Sequence, residues 1–314
     1  MNCIVTGAAG FIGSHLCQRL IKEKNAVTGI DVFSDYYPRW MKESNLNRIP
    51  SSPLFRFIES DLNEIDLAPL FKDIDCVFHL AAQAGVRASW GKSFSIYTSS
   101  NVNTTQRLLE AVKNTDIKRF IYASSSSVYG DCQDLPWKES SLLSPYSPYG
   151  VTKLAAEHLC TLYNRNFGLP SISLRYFTVY GPGQRPDMAF HKFLYAIKKN
   201  ESIPVFGDGS QTRDFTYIDD IIDATAASIS YGETGETYNI GGGNRKRLKD
   251  IFPILEGICQ KEIKIDWREK QKGDTPHTFA SIEKAQKELQ YSPRIQIEDG
   301  LRQEWEWLQT LYSS

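Results

Sequence analysis

The sequence predicts an α/β fold, a doubly wound parallel sheet with a smaller C-terminal region beside it. Apolar runs of strand length alternate with helical segments over the first 177 residues. This alternation requires crossovers between parallel strands, which place helices on both faces of the sheet. In addition, a glycine-rich turn joins the first strand to the first helix, and proline and glycine divide the chain into shorter elements after residue 180.

The length and composition describe a globular chain with room for one large or two modest domains. Of the 314 residues, 41% are hydrophobic and 23% are charged, and the formal net charge is −1. Charges of both signs are dispersed, so we expect no nucleic-acid partner. No apolar stretch approaches the length that spans a bilayer, and the chain opens directly in a strand-like run. We therefore expect a cytoplasmic protein with no membrane partner.

The cysteines lie far apart, without a CxxC pair, and most fall inside apolar segments. This spacing is typical of reduced thiols in a core and not of a metal site or a disulfide framework. We therefore expect no metal. The six residues are Cys3, Cys17, Cys76, Cys132, Cys160 and Cys259.

A glycine turn follows the first predicted strand, residues 1–6, and leads into an amphipathic helix at residues 14–24. Gly7 permits the tight turn, Gly10 lets the backbone approach a pyrophosphate, and Gly13 lets the helix pack on the sheet. The free N–H groups of the helix N-terminus then face the phosphates. The expected dinucleotide contacts in this turn are Gly7, Gly10, Phe11, Ile12 and Gly13.

Asp31 ends the second predicted strand, residues 26–30, at the distance from the glycines where a Rossmann-type fold holds a ribose diol. The alternative is an ordinary solvated strand-end turn. An acid at this position repels a 2′-phosphate, so the sequence favours NAD over NADP as cofactor.

Polar and small residues follow several later strands, at the sheet edge where ligands bind in parallel sheets. His79 is interpreted as a packed core histidine, and the run of four serines could be only a polar loop. The expected strands are 55–59, 76–80, 119–124 and 171–177, and the expected helices are near 67–71, at 102–113 and from residue 148. The residues expected to touch cofactor or substrate at this edge are Asp61, Leu62, Leu80, Ala81, Ala82, Gln83, Ser124, Ser125, Ser126 and Tyr176.

Tyr149 and Lys153 lie four residues apart in a predicted helix that begins at Ser147-Pro148, so they share one face. A free phenol has a pKa near 10, and lowering that value by about 3 costs roughly 4 kcal/mol. One cation at ~4 Å, with an effective dielectric constant of 20, supplies about that much. The pair is therefore a candidate proton-transfer unit with Tyr149 as acid and base. The alternative is that YxxxK occurs here by chance.

Beyond residue 177 the sequence predicts a smaller region that caps the crevice. Arg213, in the run 211–214, suits a diphosphate, and a surface salt bridge is the alternative role. Residues 215–218 and 237–240 resemble further strands that return to the first domain. Residues 301–312 form an amphipathic helix that we expect to pack on the body.

Five motifs in order resemble those of the extended short-chain dehydrogenase/reductase family. They are TGAAGFIGSHL, HLAAQAGVRASW, SSSVYGD, SPYGVTK and RDFTYIDD. The resemblance implies that Ser125 assists at the hydroxyl that Tyr149 deprotonates and that Lys153 grips the nicotinamide ribose. It also implies a nucleotide-sugar substrate, an NAD that takes and returns a hydride within one turnover, and a homodimer formed through helices 102–113 and 148–163.

The resemblance also sets the expected domains and substrate contacts. Residues 1–178 are expected to bind NAD, with 215–241 returning to that domain, and residues 179–314 are expected mainly to bind the nucleotide sugar. The expected substrate contacts are Arg87, Ser125, Ser126, Tyr149, Thr178, Arg185, Phe190, Phe206, Gln211, Arg213 and Asp274.

The branch within the family is inferred from the residues beside the catalytic serine. Sugar-nucleotide dehydratases resemble one another in having Asp-Glu before Val-Tyr-Gly, and glucuronate decarboxylases have Glu there, whereas this chain has Ser126-Ser127. Without those acids, oxidation and re-reduction at C4 is the better interpretation.

The runs AAQAGVR, YFTVYG and GQRPDMAF are similar to those of the UDP-glucuronate 4-epimerases. The chain departs at Gln184, where some members have glycine, and at Ser125, where close relatives often have threonine.

Three alternatives stay open at this point: a UDP-glucose/galactose 4-epimerase, a UDP-glucuronate decarboxylase, and a non-catalytic NAD-binding regulator. The presence of the Tyr-Lys-Ser set argues against the regulator.

Oxidising C4 of a glucuronate gives a β-keto acid, so an epimerase must hold the carboxylate in an orientation that disfavours loss of carbon dioxide. Thr178 and Arg185 suit that task as a hydroxyl donor and a charged fork. Arg87 is a weaker candidate, and the alternative for Arg185 is a loop arginine that faces solvent.

Overall fold

In the computed structural model, which describes residues 1–132 and 134–313, the chain folds around a parallel sheet. The strands are β1 Asn2–Thr6, β2 Ala26–Asp31, β3 Phe55–Glu59, β4 Cys76–His79, β5 Arg119–Ser125, β6 Ser171–Tyr176, β7 Val179–Tyr180, β8 Ile203–Phe206, β9 Thr212–Asp214, β10 Thr216–Tyr217, β11 Thr237–Ile240, β12 Arg245–Arg247 and β13 Ile265–Arg268. Seven of them form the sheet in the order β11-β6-β5-β4-β1-β2-β3, and each neighbouring pair is parallel. The order reverses between β1 and β4, where such sheets bind ligands. The predicted fold class is confirmed.

Helices cover both faces of the sheet, which is why its central strands are almost continuously apolar. In β1, Ile4 packs in one apolar cluster with Leu108 and Cys160, and the next residue, Val5, packs in the opposite cluster with Leu16. The helices are α1 Phe11–Lys22, α2 Arg39–Asn47, α3 Phe94–Tyr97, α4 Thr104–Val112, α5 Pro148–Phe167, α6 Ala189–Lys199, α7 Ile218–Tyr231, α8 Phe252–Cys259, α9 Glu283–Glu288 and α10 Ile297–Leu311. Helices α1 and α7 pack together, as do α4 and α5.

Local sequence fixes both ends of α5, the helix that carries the Tyr149 motif. The Ser147 hydroxyl accepts a hydrogen bond from the Gly150 amide at 3.1 Å, and Pro148 occupies the first turn. At the other end, Gly168 adopts a left-handed conformation with φ of +69°. Serine caps, an early proline and a terminal glycine each favour these boundaries.

Two predicted elements were wrong. Residues 67–71 form turns and not a helix, although Leu67 and Phe71 are buried. Residues 215–218 contribute only the two-residue strand β10, and α7 begins at Ile218. Acidic residues at its start, Asp219 and Asp220, favour helix initiation there.

After residue 178 the strands form small pairs outside the main sheet. β7 pairs with β10, β8 with β13, and β9 with β12. β11 instead pairs with β6 and forms an edge of the main sheet. Helix α10 packs on α6 and α8.

The six cysteines are free thiols, and five of them are buried. Within residues 1–132 and 134–313, no helix combines the length and the apolar character needed to cross a membrane.

Candidate active site

A cavity of about 840 Å³ opens at the carboxyl ends of the central strands. It extends from the glycine turn after β1 to the start of α5. Every residue expected to contact the cofactor lines its wall: Gly7, Gly10, Phe11, Ile12, Gly13, Asp31, Asp61, Leu62, Leu80, Ala81, Ala82, Gln83, Ser124, Tyr149, Lys153 and Tyr176.

The glycine turn is packed too tightly for any other residue. Gly7 has φ of +73°, and a Cβ added to it would lie 2.8 Å from the Ala81 nitrogen. A Cβ on Gly13 would lie 2.1 Å from the Gly7 carbonyl oxygen. The turn therefore brings bare backbone to the cavity beside the N-terminus of α1, an arrangement that fits the pyrophosphate of a dinucleotide.

The Asp31 carboxylate is fixed beside this turn. Its Oδ2 accepts a hydrogen bond from the Ala9 amide at 3.1 Å, and its Oδ1 accepts one from the Phe33 amide at 3.1 Å. Each carboxylate oxygen keeps a further acceptor position, so the group fits a ribose diol. Lys42 also lines the cavity and donates to the Ser34 carbonyl oxygen at 3.0 Å. We did not predict Lys42, because the short helix that carries it has no strong apolar periodicity.

His79 is a core residue, as its position in a buried strand indicated. Its Nδ1 is 2.8 Å from the Thr6 hydroxyl and its Nε2 is 2.9 Å from the Thr105 hydroxyl. Burial lowers the pKa of His79 to about 3, so the ring is neutral. The Thr6 hydroxyl also accepts a hydrogen bond from the Ala81 amide at 3.1 Å. His79 thereby helps to fix the strand end that borders the cavity.

Tyr149 faces the cavity from the first turn of α5. Its ring meets the ring of Tyr97 edge-on, with centroids 6.2 Å apart. Burial raises the pKa of Tyr149, while a hydrogen bond with Ser125 and the charge of Arg185 act in the opposite direction. The charge of Asp187 adds to the increase. Side chains from β5, α5 and the 181–188 loop thus converge on this phenol.

Lys153 lines the same cavity as Tyr149 and also contacts a second tyrosine, Tyr122. Its ammonium nitrogen lies 4.4 Å from the centre of the Tyr122 ring. Burial lowers the pKa of Lys153 to about 7, against the opposing charges of Cys160 and Glu157. Both side chains thus line one cavity from one helix, as their spacing indicated, and the Lys153 ammonium lies over the Tyr122 ring.

A buried ion pair supports the serine end of β5. Arg175 and Glu157 form a salt bridge at 2.5 Å, with both side chains 4% exposed. Glu157 also accepts a hydrogen bond from the Ser124 hydroxyl at 2.6 Å. The sequence alone did not indicate this network, although Glu157 follows Lys153 by one helical turn on the same face. It joins β5, β6 and α5 directly behind the cavity.

Arg185 lies in the cavity wall, where it is paired with a carboxylate. Its Nε and Nη2 donate to the two oxygens of Asp187 at 2.9 and 3.0 Å. The Tyr36 hydroxyl donates to the same carboxylate at 3.1 Å. All three residues line the cavity together with Tyr149 and Thr178. The sequence singled out Arg185, but it did not reveal the two partners.

A second cavity, of about 210 Å³, adjoins the first and shares Ser126 and Thr178 with it. Arg213 and Asp274 also line it. Burial lowers the pKa of Arg213, while the charge of Asp274 acts in the opposite direction. At its border, Arg87 pairs with Asp274 at 2.6 Å and lies 4.2 Å from the centre of the Phe206 ring. The geometry thus brings four predicted substrate contacts together.

Of two other predicted substrate contacts, one lies in the core and the other lies beside Phe206. Phe190 is 1% exposed in the core, where its ring centroid lies 4.6 Å from that of Phe215, because its position on α6 faces inwards. Gln211 donates to the Phe206 carbonyl oxygen at 2.9 Å and so closes the loop between β8 and β9. Like Arg87 and Phe206, neither side chain belongs to the wall of either cavity.

Comparisons with known proteins agree with this architecture. The NAD dependent epimerase/dehydratase family matches residues 3–241. A Bacillus subtilis protein described as an uncharacterized UDP-glucose epimerase is 45% identical over 314 residues and covers 99% of both chains. The UDP-glucuronate 4-epimerase of Thermodesulfobacterium geofontis is 41% identical over 310 residues, which are 97% of this chain and 95% of the relative.

A solved structure is similar over the whole fold. The crystal structure of the UDP-glucuronic acid 4-epimerase from Bacillus cereus, in complex with UDP-glucuronic acid and NAD, has a TM-score of 0.97 at 47% identity. The match covers 99% of this chain and 100% of that one. The chain therefore belongs to the NAD dependent epimerase/dehydratase family.

Proposed function

We propose that the protein is an NAD-dependent 4-epimerase that converts UDP-glucuronate to UDP-galacturonate. One observation carries the proposal: a single cavity joins the glycine turn and Asp31 to Tyr149 and Ser125, with Arg185 in its wall. The relatives named above as UDP-glucuronate 4-epimerases support the same activity.

Residues 1–178 would hold NAD, through the glycine turn at the pyrophosphate and Asp31 at the adenosine ribose. The return of residues 215–241 to this domain is supported by the pairing of β11 with β6. Residues 179–314 would mainly hold the UDP-sugar, and Arg213 and Arg87 supply the cationic groups that suit a diphosphate. When bound, NAD supplies a hydride acceptor and donor at C4 of the sugar.

Tyr149 is the general base and acid in this proposal. It takes the proton of the C4 hydroxyl, while Ser125 hydrogen-bonds the same oxygen and orients it. After the 4-keto sugar turns over, Tyr149 returns the proton to the oxygen at the inverted carbon. Lys153 lies one turn further along α5, where it can bind the nicotinamide ribose. Proton movement thus stays within one buried cluster, away from bulk water.

Thr178 and Arg185 would hold the sugar carboxylate in an orientation that disfavours its loss. Both line the cavity. Residues 126 and 127, beside the catalytic serine, are serines and cannot supply the acid that dehydration needs. This difference favours epimerisation over dehydration or decarboxylation.

UDP-glucose 4-epimerisation is a second candidate, and one observation favours it. Asp187 already neutralises Arg185, so the wall of the sugar pocket has no net positive charge from this pair. The test is to incubate the purified protein with NAD and either sugar nucleotide, and to separate the products by chromatography. We expect UDP-galacturonate from UDP-glucuronate, with no release of carbon dioxide. Conversion of UDP-glucose alone would assign the neutral sugar instead.

We also propose that the protein is a homodimer that works in the cytoplasm. Val151 and Leu162 on α5 are 50% and 52% exposed, which supports pairing through α5, one of the two helices expected at the interface. The free thiols suit a reducing compartment. Light scattering at working concentration tests the dimer, and a monomer mass would contradict it.

A further inference from the structure

We propose that Asp187 tunes the choice between acidic and neutral sugars by acting as the counter-ion of Arg185. The inference rests on the proposed function, because it assumes that Arg185 faces the sugar carboxylate. In this view, Asp187 weakens the binding of UDP-glucuronate and leaves that of UDP-glucose unchanged.

The geometry of the ion pair is that of a two-point fork. Arg185 uses Nε and Nη2 for the two oxygens of Asp187, at 2.9 and 3.0 Å. The two side chains are 23% and 30% exposed, and both line the main cavity. Asp187 therefore occupies the Nε and Nη2 edge of the guanidinium, which binds a carboxylate most favourably. The sugar carboxylate would have to bind Arg185 elsewhere.

Asp187 is held in place by another residue of the cavity wall. The Tyr36 hydroxyl, which belongs to the N-terminal part of the chain, donates to Asp187 at 3.1 Å. This hydroxyl lies so close to the 84–85 backbone that a Cβ on Gly85 would be 2.1 Å from it. The hydroxyl of Tyr97, whose ring meets Tyr149, lies 2.8 Å from the carbonyl oxygens of both residues 84 and 85 and donates its one hydrogen between them. The ion pair is thus tied to the wall that carries the catalytic tyrosine.

The groups around the ion pair keep the Asp187 carboxylate ionised. Burial opposes its ionisation, but the charge of Arg185 and the hydrogen bonds from Arg185 and Tyr36 hold the pKa of Asp187 below its usual range. Lys192 on α6 also faces Asp187: burial lowers the pKa of Lys192, and the charge of Asp187 acts in the opposite direction. Its side chain is exposed, so water screens this interaction more than that of the Arg185 pair. The pair is therefore neutral before the sugar arrives, and a glucuronate makes it net negative.

The test measures binding by calorimetry on NAD-loaded protein in which Tyr149→Phe prevents turnover. UDP-glucuronate and UDP-glucose are titrated with and without Asp187→Asn, which keeps the shape and an acceptor for Tyr36. We expect UDP-glucuronate to bind at least about tenfold more tightly in the variant, because a unit charge in a partly buried site is worth more than the 1.4 kcal/mol that tenfold represents. The affinity for UDP-glucose should change by less than about twofold.

Tyr36→Phe is the matched control, because it removes the hydrogen bond to Asp187 and keeps the charge. We expect it to leave the ratio of the two affinities within about twofold. An unchanged ratio in Asp187→Asn, or an equal shift in Tyr36→Phe, would overturn the role of charge.

Asp187→Asn leaves Arg185 without its partner, so the variant could fail to fold. A second experiment therefore introduces Asp187→Asn together with Arg185→Met. With Arg185→Met present, no cation is stranded, and at pH 8.5, chosen so that Asp187 stays ionised without its partner, Asp187→Asn should still raise the affinity for UDP-glucuronate by removing repulsion. No change there overturns the inference. The proposed function fails separately, if Arg185→Met by itself leaves the ratio of the two affinities unaltered.

Discussion

The Lys153 ammonium lies 4.4 Å from the centre of the Tyr122 ring, in a pocket where its side chain is almost completely buried. A cation over an aromatic face gains some attraction, but the gain is smaller than the cost of removing an ammonium from water. Burial accordingly lowers the pKa of Lys153 from 10.5 to about 7. Protonated Lys153 therefore destabilises the fold while NAD is absent, and its charge is available to bind a dinucleotide.

We expect Lys153→Met to stabilise the NAD-free protein while weakening its retention of NAD. Between pH 7 and about 10.5 the unfolded chain holds this proton more strongly, so the stability of the parent protein rises with pH. The gain from the variant should be largest below pH 7, about 2–4 kcal/mol, and should disappear near pH 10.5. Thermal unfolding at pH 6.5 and pH 9 measures it. An equal gain at both pH values would exclude the buried charge as the cause.

Tyr149→Phe should abolish turnover and leave the bound dinucleotide in place. The ring of Tyr149 packs against Tyr97 in either case, and only the proton-transfer group is lost. The measurement is product formation together with the NAD released on denaturation. Loss of NAD from the variant would make the role of Tyr149 structural.

Arg185→Ala should lower kcat/KM for UDP-glucuronate by about tenfold or more, because a hydrogen bond to a charged group contributes about 1.5–3 kcal/mol. Residual turnover of UDP-glucose should be almost unaffected. Thr178→Ala should in addition raise the fraction of intermediate lost as the 4-keto pentose, because the carboxylate gains freedom to rotate. Chromatography of both sugars gives both quantities. Equal losses on acidic and neutral sugars, without a new product, would remove the main support for glucuronate.

The two members of the ion pair should shift the pH profile in opposite directions. Arg185 lowers and Asp187 raises the pKa of Tyr149, which must be deprotonated to act as a base. Asp187→Asn should therefore extend activity to lower pH, and Arg185→Met should move the acid limb to higher pH. Ser125 and Lys153, which also face this part of the cavity, stay unchanged in both variants. Profiles of kcat against pH test the signs, and shifts in the same direction would contradict them.

Phe190→Leu should destabilise the fold and leave sugar preference unchanged. The ring is 1% exposed and packs against Phe215 and Tyr180. Leucine keeps part of the buried volume, so we expect a loss of about 1–3 kcal/mol in the free energy of unfolding. Denaturant titration measures this loss, and the ratio of KM values for the two sugars serves as the control. A changed ratio would place Phe190 in the sugar site after all.

The sequence by itself determined the features that depend on short stretches of chain. The alternation of strands and helices, the glycine turn, Asp31 and the capped start of α5 were predicted from windows of a few residues. The reason is that backbone conformation, capping and the burial of one face are local requirements. The fold class and the family were confirmed, whereas the roles of individual site residues stay predictions.

Only the tertiary structure decided which side chains meet across the cavity. Tyr36 and Asp187 are 151 positions apart in sequence, and no local pattern marks either one as the partner of Arg185. Phe190 lies in the core, and Lys153 lies over Tyr122, because packing sets the direction in which a helix face points. The charge balance of the sugar pocket therefore depends on long-range contacts, which form only when the two parts of the chain close on each other.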